Sequence, residues 1–168
     1  MNLCYEHKDA MTFIGFSTEI LNAEGYIKCP EFWDYAFKTK FSKVWSTGKP
    51  ETDEEQAILD NEIGTFALCI MHGEKSFTYM IAGLYKGGIV PEGMHLFEVA
   101  GSDYAVFSNK GPLPNSLQDL NKYVWNQWYP GEGQQYDPNG DTTIEVYSGN
   151  PSSEDYECGI WVPVRKRA

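Results

Sequence analysis

The strongest constraint on the fold is that the chain passes through the same order of local patterns twice. Near its start, Thr12-Phe13-Ile14-Gly15-Phe16-Ser17-Thr18-Glu19-Ile20 is rich in β-branched and aromatic residues and predicts a strand. Cys29-Pro30-Glu31 follows, with proline at a plausible helix start. Trp33, Phe37, Phe41 and Val44 then fall on one side at 100° per residue, which predicts a helix over about 31–45. Phe32 and Tyr35 lie on its other side, where a solvated helix would carry charge, so protein or ligand is expected to cover them. An acidic stretch from Glu51 to Glu62 reads as a short solvated helix and connector. Two apolar runs, about 65–71 and 76–85, are joined by His72-Gly73-Glu74-Lys75 and read as a hairpin. The glycine- and proline-rich stretch from Lys86 to Gly93 closes this half.

Beyond that linker the order returns. Strand material runs over about 95–108, with Asp103-Tyr104-Ala105-Val106-Phe107 its clearest part. Gly111-Pro112-Leu113-Pro114 leads into a second helix, for which Asn115 and Gln118 suggest a capping box and Leu117, Leu120, Val124 and Trp128 form the apolar stripe. Pro130-Gly131 stops it, and Thr142–Ser148 and Glu157–Val164 read as two further strands. The expected architecture is α+β: a single domain of duplicated β-α-β-β units, one over about 10–86 and one over about 94–165. Such units can join in one antiparallel sheet with two helices and a central ligand cleft.

Composition narrows the function. At 168 residues the chain can bury a substantial core, and aromatic residues make up 15% of it, with five Trp and eleven Tyr, more than a core of this size usually needs. A formal net charge of -11 repels phosphate backbones, so no direct nucleic-acid contact is expected. The chain has no run near the ~18 apolar residues of a membrane span, and Met1 to Met11 lacks a basic region followed by an apolar one. The expectation is a cytoplasmic protein without a membrane contact, its four cysteines reduced. No cofactor or metal is expected. His7, His72 and His95 have no ligand spacing, and Asp137, Asn139, Gly140 and Asp141 read as a turn, not a calcium loop. Neither a G-x-S-x-G nor a phosphate-binding glycine motif occurs.

Glu145 is the most informative residue. In a strand, Thr143, Glu145 and Tyr147 share a face while Ile144 and Val146 take the other. A carboxylate on an aromatic-lined face is expensive to desolvate and seeks a cation, which ring faces would also attract. On a wet face it merely solubilises the sheet.

The segments Phe13-Ile14-Gly15-Phe16-Ser17, Cys29-Pro30-Glu31-Phe32-Trp33, Phe77-Thr78-Tyr79-Met80-Ile81-Ala82-Gly83, Tyr104-Ala105-Val106-Phe107, Gly111-Pro112-Leu113-Pro114, Trp128-Tyr129-Pro130, Ile144-Glu145-Val146-Tyr147 and Ile160-Trp161-Val162-Pro163-Val164, in this order and spacing, resemble the GyrI-like family. This is the effector-binding domain attached to many AraC-type and MerR-type bacterial regulators. The resemblance covers about 10–165 and implies a lipophilic, often cationic small molecule as ligand. It places the family's acidic pocket residue on Glu145, with Tyr147 and Trp161 in the strand motifs that follow. Tyr79 and Phe107 lie in matching strand motifs, and Trp33 and Trp128 match the helix-end aromatics, although helical spacing puts both on the stripe that faces the sheet. No helix-turn-helix is expected before residue 10, so the regulator's own role does not carry over. The leading expectation is a binding or sequestering module without chemistry, partnered by a small molecule and, through unpaired strand edges, by a second copy or a separate regulatory protein. The alternative is a hydrolase of cyclopropane-bearing genotoxic compounds in which Glu145 activates water.

Overall fold

The computed structural model describes residues 1–148 and 152–167. The chain divides into two compact units, Met11–Val99 and Met1–Ala10 with Ala100–Ala168. We call them the first and second unit.

The first unit opens with β2 (Met11–Leu21), which is preceded in the chain by β1 (Asn2–Lys8) of the second unit. A short 3-10 turn, Asn22–Glu24, leads into α1 (Gly25–Ala36). A π-helical turn, Phe37–Phe41, joins α1 to α2 (Ser42–Thr47), which ends at Gly48 with φ +66°. α3 (Asp53–Asp60) follows, then β3 (Phe66–Met71), β4 (Ser76–Leu84) and β5 (His95–Val99). The strands stand in the order β3-β4-β2-β5, all antiparallel. β2 pairs with β4 from Phe13 opposite Leu84 to Leu21 opposite Ser76, whereas β5 covers only Met11 to Gly15 on its other edge.

The second unit places β1 beside β6 (Ser102–Lys110), then β9 (Glu157–Lys166) and β8 (Thr142–Ser148), again antiparallel, with the short β7 (Tyr136–Pro138) also on β9. Between β6 and β7 runs α4 (Asn115–Tyr123), which continues into a π-helical turn, Val124–Trp128. Leu120, Val124 and Trp128 are buried with Phe107, Cys158 and Ile160 in one apolar core. Each unit thus contains a leading strand, a helix that runs into a π turn, and a pair of adjacent antiparallel strands. Each leading strand also carries an outer strand from elsewhere in the chain, β5 on β2 and β1 on β6.

Several expectations from the sequence need correction. The first helix begins at Gly25, not near 31, and Pro30 sits inside it. Proline marks a φ that any helical residue shares, so it does not fix the first residue; here the helix forgoes the N–H that residue 30 would have given to the Tyr26 carbonyl. Phe37 is 51% exposed rather than buried, because a π turn starting there adds a residue and breaks the phase of a 3.6-residue count; Ala36, Phe41 and Val44 are the buried positions. The Asn115–Gln118 capping box does not form. Pro114 holds the cap position without a side-chain bond, and the carbonyls of Pro112 and Pro114 accept from the N–H groups of Ser116 and Gln118. The stretch 95–108 is two strands, and β1, mostly exposed and polar, carries too weak an alternation to read.

The acidic helix α3 does begin as its composition suggests: Thr52 Oγ1 accepts from the Glu55 N–H at 3.1 Å, and Asp53, Glu54 and Glu55 occupy the positive first turn. Its end is fixed to β4. Asn61 is 2% exposed, donates to the Ala57 carbonyl at 3.0 Å and accepts from the Lys86 N–H at 2.8 Å. A Cβ at Gly83 would lie 1.9 Å from the Asn61 carbonyl oxygen. Gly83→Ala is therefore expected to lose about 3 kcal/mol or more, a fall in Tm of roughly 6–12 °C by calorimetry. An unchanged Tm would show that the Asn61 turn does not bear on β4.

Candidate functional site

The second unit sets the direction of Glu145. β8 pairs with β9 so that Glu145 stands opposite Ile160 and Tyr147 opposite Cys158, while β6 places Phe107 opposite Ile160. Residues opposite one another in an antiparallel pair share a face. Glu145, Ile160 and Phe107 thus form a row across the side of the sheet that α4 covers. Glu145 is half-buried, and Tyr147, two residues on, donates its phenol hydrogen to Glu145 Oε1 at 2.9 Å. The Cys158 thiol is pushed up by burial and then, among smaller effects, by the negative charge of Glu145.

The row is backed by rings. Phe107 meets Trp128 edge to face at 5.1 Å, and Trp128 Nε1 donates to the Tyr5 hydroxyl at 3.2 Å, which in turn donates to Glu132 at 2.7 Å. Phe107 is fully buried and Trp128 is 3% exposed. In this conformation they support the row and offer a ligand no surface. Trp161 takes the opposite face: it pairs with Ile144 and Val106, meets Tyr104 edge to face at 6.3 Å, and carries the Lys8 ammonium 4.0 Å from its ring centre. It therefore does not share a face with Glu145, because positions an odd number apart across paired strands point oppositely. The own-chain cation over Trp161 was not readable from sequence, since β1 was not.

In the first unit, Trp33 Nε1 donates to the Tyr79 hydroxyl at 2.8 Å, which ties α1 to β4, and Phe32 lies edge to face with Tyr79 at 6.3 Å. Tyr79 is 1% exposed and Trp33 half-buried. The seven sequence-predicted residues thus form one hydrogen-bonded pair in each unit, Glu145 with Tyr147 and Trp33 with Tyr79, a buried edge-to-face pair of Phe107 and Trp128, and Trp161 apart. Among the described residues no three His, Cys, Asp or Glu side chains gather as a metal site, and no helix is long and apolar enough to cross a membrane.

Known proteins carry this fold. The chain belongs to the Cass2 family, described as integron-associated effector-binding proteins, whose model matches residues 6–164. The GyrI-like resemblance read from the sequence points to the same effector-binding class. The solved structure of SAV2435 bound to tetraphenylphosphonium is similar with a TM-score of 0.77 and 20% identity, over 98% of this chain and 94% of that one. An integron cassette protein of Vibrio cholerae, VCH_CASS2, gives a TM-score of 0.67 and 18% identity over 97% and 95%. The transcriptional regulator BrlR of Pseudomonas aeruginosa is 24% identical over 139 residues, which are 80% of this chain and 50% of BrlR. The chain thus spans about half the length of that curated relative.

The core of the second unit also predicts an alkaline limit. Tyr156 is 4% exposed, and burial, followed by the charge of Cys158, pushes its phenol from the usual value near 10 up to about 12. The unfolded chain ionises first, so the stability this group gives is complete below pH 10 and declines as pH rises to 12, by roughly 3 kcal/mol in all. Denaturant titrations from pH 8 to 12 should show that decline in the parent and a shallower one in Tyr156→Phe; parallel curves would contradict it.

Proposed function

We propose that the protein binds lipophilic, cationic small molecules, with Glu145 as the anionic partner. The observation that carries this reading is the half-buried Glu145 carboxylate on the row it shares with Ile160 and Phe107, held by the Tyr147 hydroxyl at 2.9 Å. A carboxylate oriented by a hydrogen bond beside apolar side chains attracts a positive charge, and desolvation there strengthens the attraction. Tyr147 presents a ring beside that charge, as a cation–π partner requires. Trp33 and Tyr79 form the comparable aromatic pair of the first unit, and Phe107 and Trp128 hold the row from behind.

Membership of an effector-binding family supports a small-molecule ligand. The tetraphenylphosphonium held by SAV2435 supports its character, since that ion is a single positive charge wrapped in four phenyl rings. The net charge of -11 favours the approach of such ions over anions of the same shape. Binding of this kind suits a sequestering protein or one that reports its ligand to a separate regulatory partner.

Glu145→Gln preserves shape and hydrogen bonding while removing the charge. Its affinity for tetraphenylphosphonium, measured by calorimetry at two salt concentrations, should fall at least tenfold, about 1.4 kcal/mol or more. Affinity for neutral triphenylphosphine oxide should hardly change. If the carboxylate lay on a wet face, screening would leave a difference of ~0–1 kcal/mol, and equal cation affinity in the two proteins would refute the assignment.

A further inference from the structure

The first unit carries a second feature, where α1 passes the end of β2. An open cleft of about 310 Å³ lies there between the last residues of β2 and the first three turns of α1. Its floor is unusual for a small-molecule pocket. β5 stops opposite Gly15, so among the described residues no strand pairs with the outer edge of residues 16–21 of β2. On that edge every second residue directs its N–H and C=O outward, a template for one more strand.

The wall above this edge has a defined chemistry. Glu24, Lys28, Glu31 and Tyr35 follow one another at helical spacing, and all four are exposed. Lys28 is already held by Glu31 at 3.2 Å and Glu24 stands one turn before it, so the two carboxylates of this wall outnumber its one ammonium; the Glu19 carboxylate is held by the Thr78 hydroxyl on the other face of the sheet. Phe32 stacks on Tyr35 with ring centres 6.1 Å apart, and Tyr35 and Leu21 are 52% and 56% exposed at the mouth. An apolar socket, an unpaired strand edge and surplus carboxylates therefore meet in one place.

We propose that this edge is a docking site for an extended, basic peptide segment of a partner protein, which adds a strand to β2. Its backbone pairs with residues 17–21, alternate apolar side chains enter the socket of Phe32 and Tyr35, and its lysines or arginines meet Glu24 and Glu31. Charge decides against a second copy of this chain. A two-fold contact through this edge would bring the acidic wall against its own copy, in a chain that already carries -11. The lack of a closed cavity, with a strand edge as floor, decides against a small cation.

A synthetic decapeptide of alternating lysine and valine tests the proposal on the full chain, with calorimetry for affinity and amide hydrogen exchange for the place of binding. Exchange at 17–21 should slow on binding. The double variant Glu24→Lys, Glu31→Lys, checked for its fold by circular dichroism, should bind at least tenfold more weakly, and a glutamate-valine decapeptide should bind at least tenfold more weakly to the parent. Glu145→Gln should bind the peptide as the parent does, which separates this edge from the small-molecule site. Failure to bind, unchanged exchange at 17–21, equal binding of a decapeptide N-methylated at alternate residues, or full displacement by benzyltrimethylammonium would each overturn the proposal.

Discussion

The pairing of β8 with β9 decides what the second unit can present to a ligand. A slip of one residue would carry Glu145 to the face of Ile144 and Trp161 and put Ile144 where the carboxylate now stands. That slip is resisted from both sides of the sheet. Ile144 is fully buried on one face, and Cys158 and Ile160 are 1% exposed on the other. Exchanging their places would bring a charge into the first environment and strip apolar cover from the second. Register, set by burial, thus fixes the position of the one carboxylate that Tyr147 holds, and the row behind it follows from β6 standing in register with β9.

The helices serve the same end by an economical device. Both end in a π turn, at Phe37–Phe41 and Val124–Trp128, which rotates the residues that follow relative to a regular helix. In α4 and its extension the result is that Leu120, Val124 and Trp128 stay on the core through the turn, where Trp128 closes against Phe107. In the first unit the same turn buries Phe41, stacked on Trp45 at 4.2 Å, and leaves Phe37 outside. Trp33, one turn earlier, is left to tie the helix to Tyr79.

How far the sequence could be read follows from the physics of each signal. The first hairpin, the strands Thr142–Ser148 and Glu157–Val164, and the stripe Leu120, Val124, Trp128 were legible, because alternation and helical spacing act over several residues at once. The side of β8 on which Glu145 lies was legible in part: its sharing of a face with Tyr147 follows from period two, but which face α4 covers depends on register with β9, a non-local fact. Trp161 was grouped with Glu145 on motif order alone, and order along a strand does not give a face across two strands. Phe37 was misplaced because a π turn has no sequence signal in a count by 3.6. β1 stayed hidden since an outer strand with little to bury has little pattern to show, and with it went the Lys8 ammonium over Trp161.

The central claim is that charge, placed by register on an apolar face, selects the ligand. Tetraphenylphosphonium and tetraphenylborate have nearly the same shape and apolar surface and opposite charge, so a calorimetric comparison of the two on the parent protein isolates that term. The account predicts that the phosphonium binds at least tenfold more tightly than the borate and that added salt narrows the gap without closing it. Equal affinity for the two ions would contradict it.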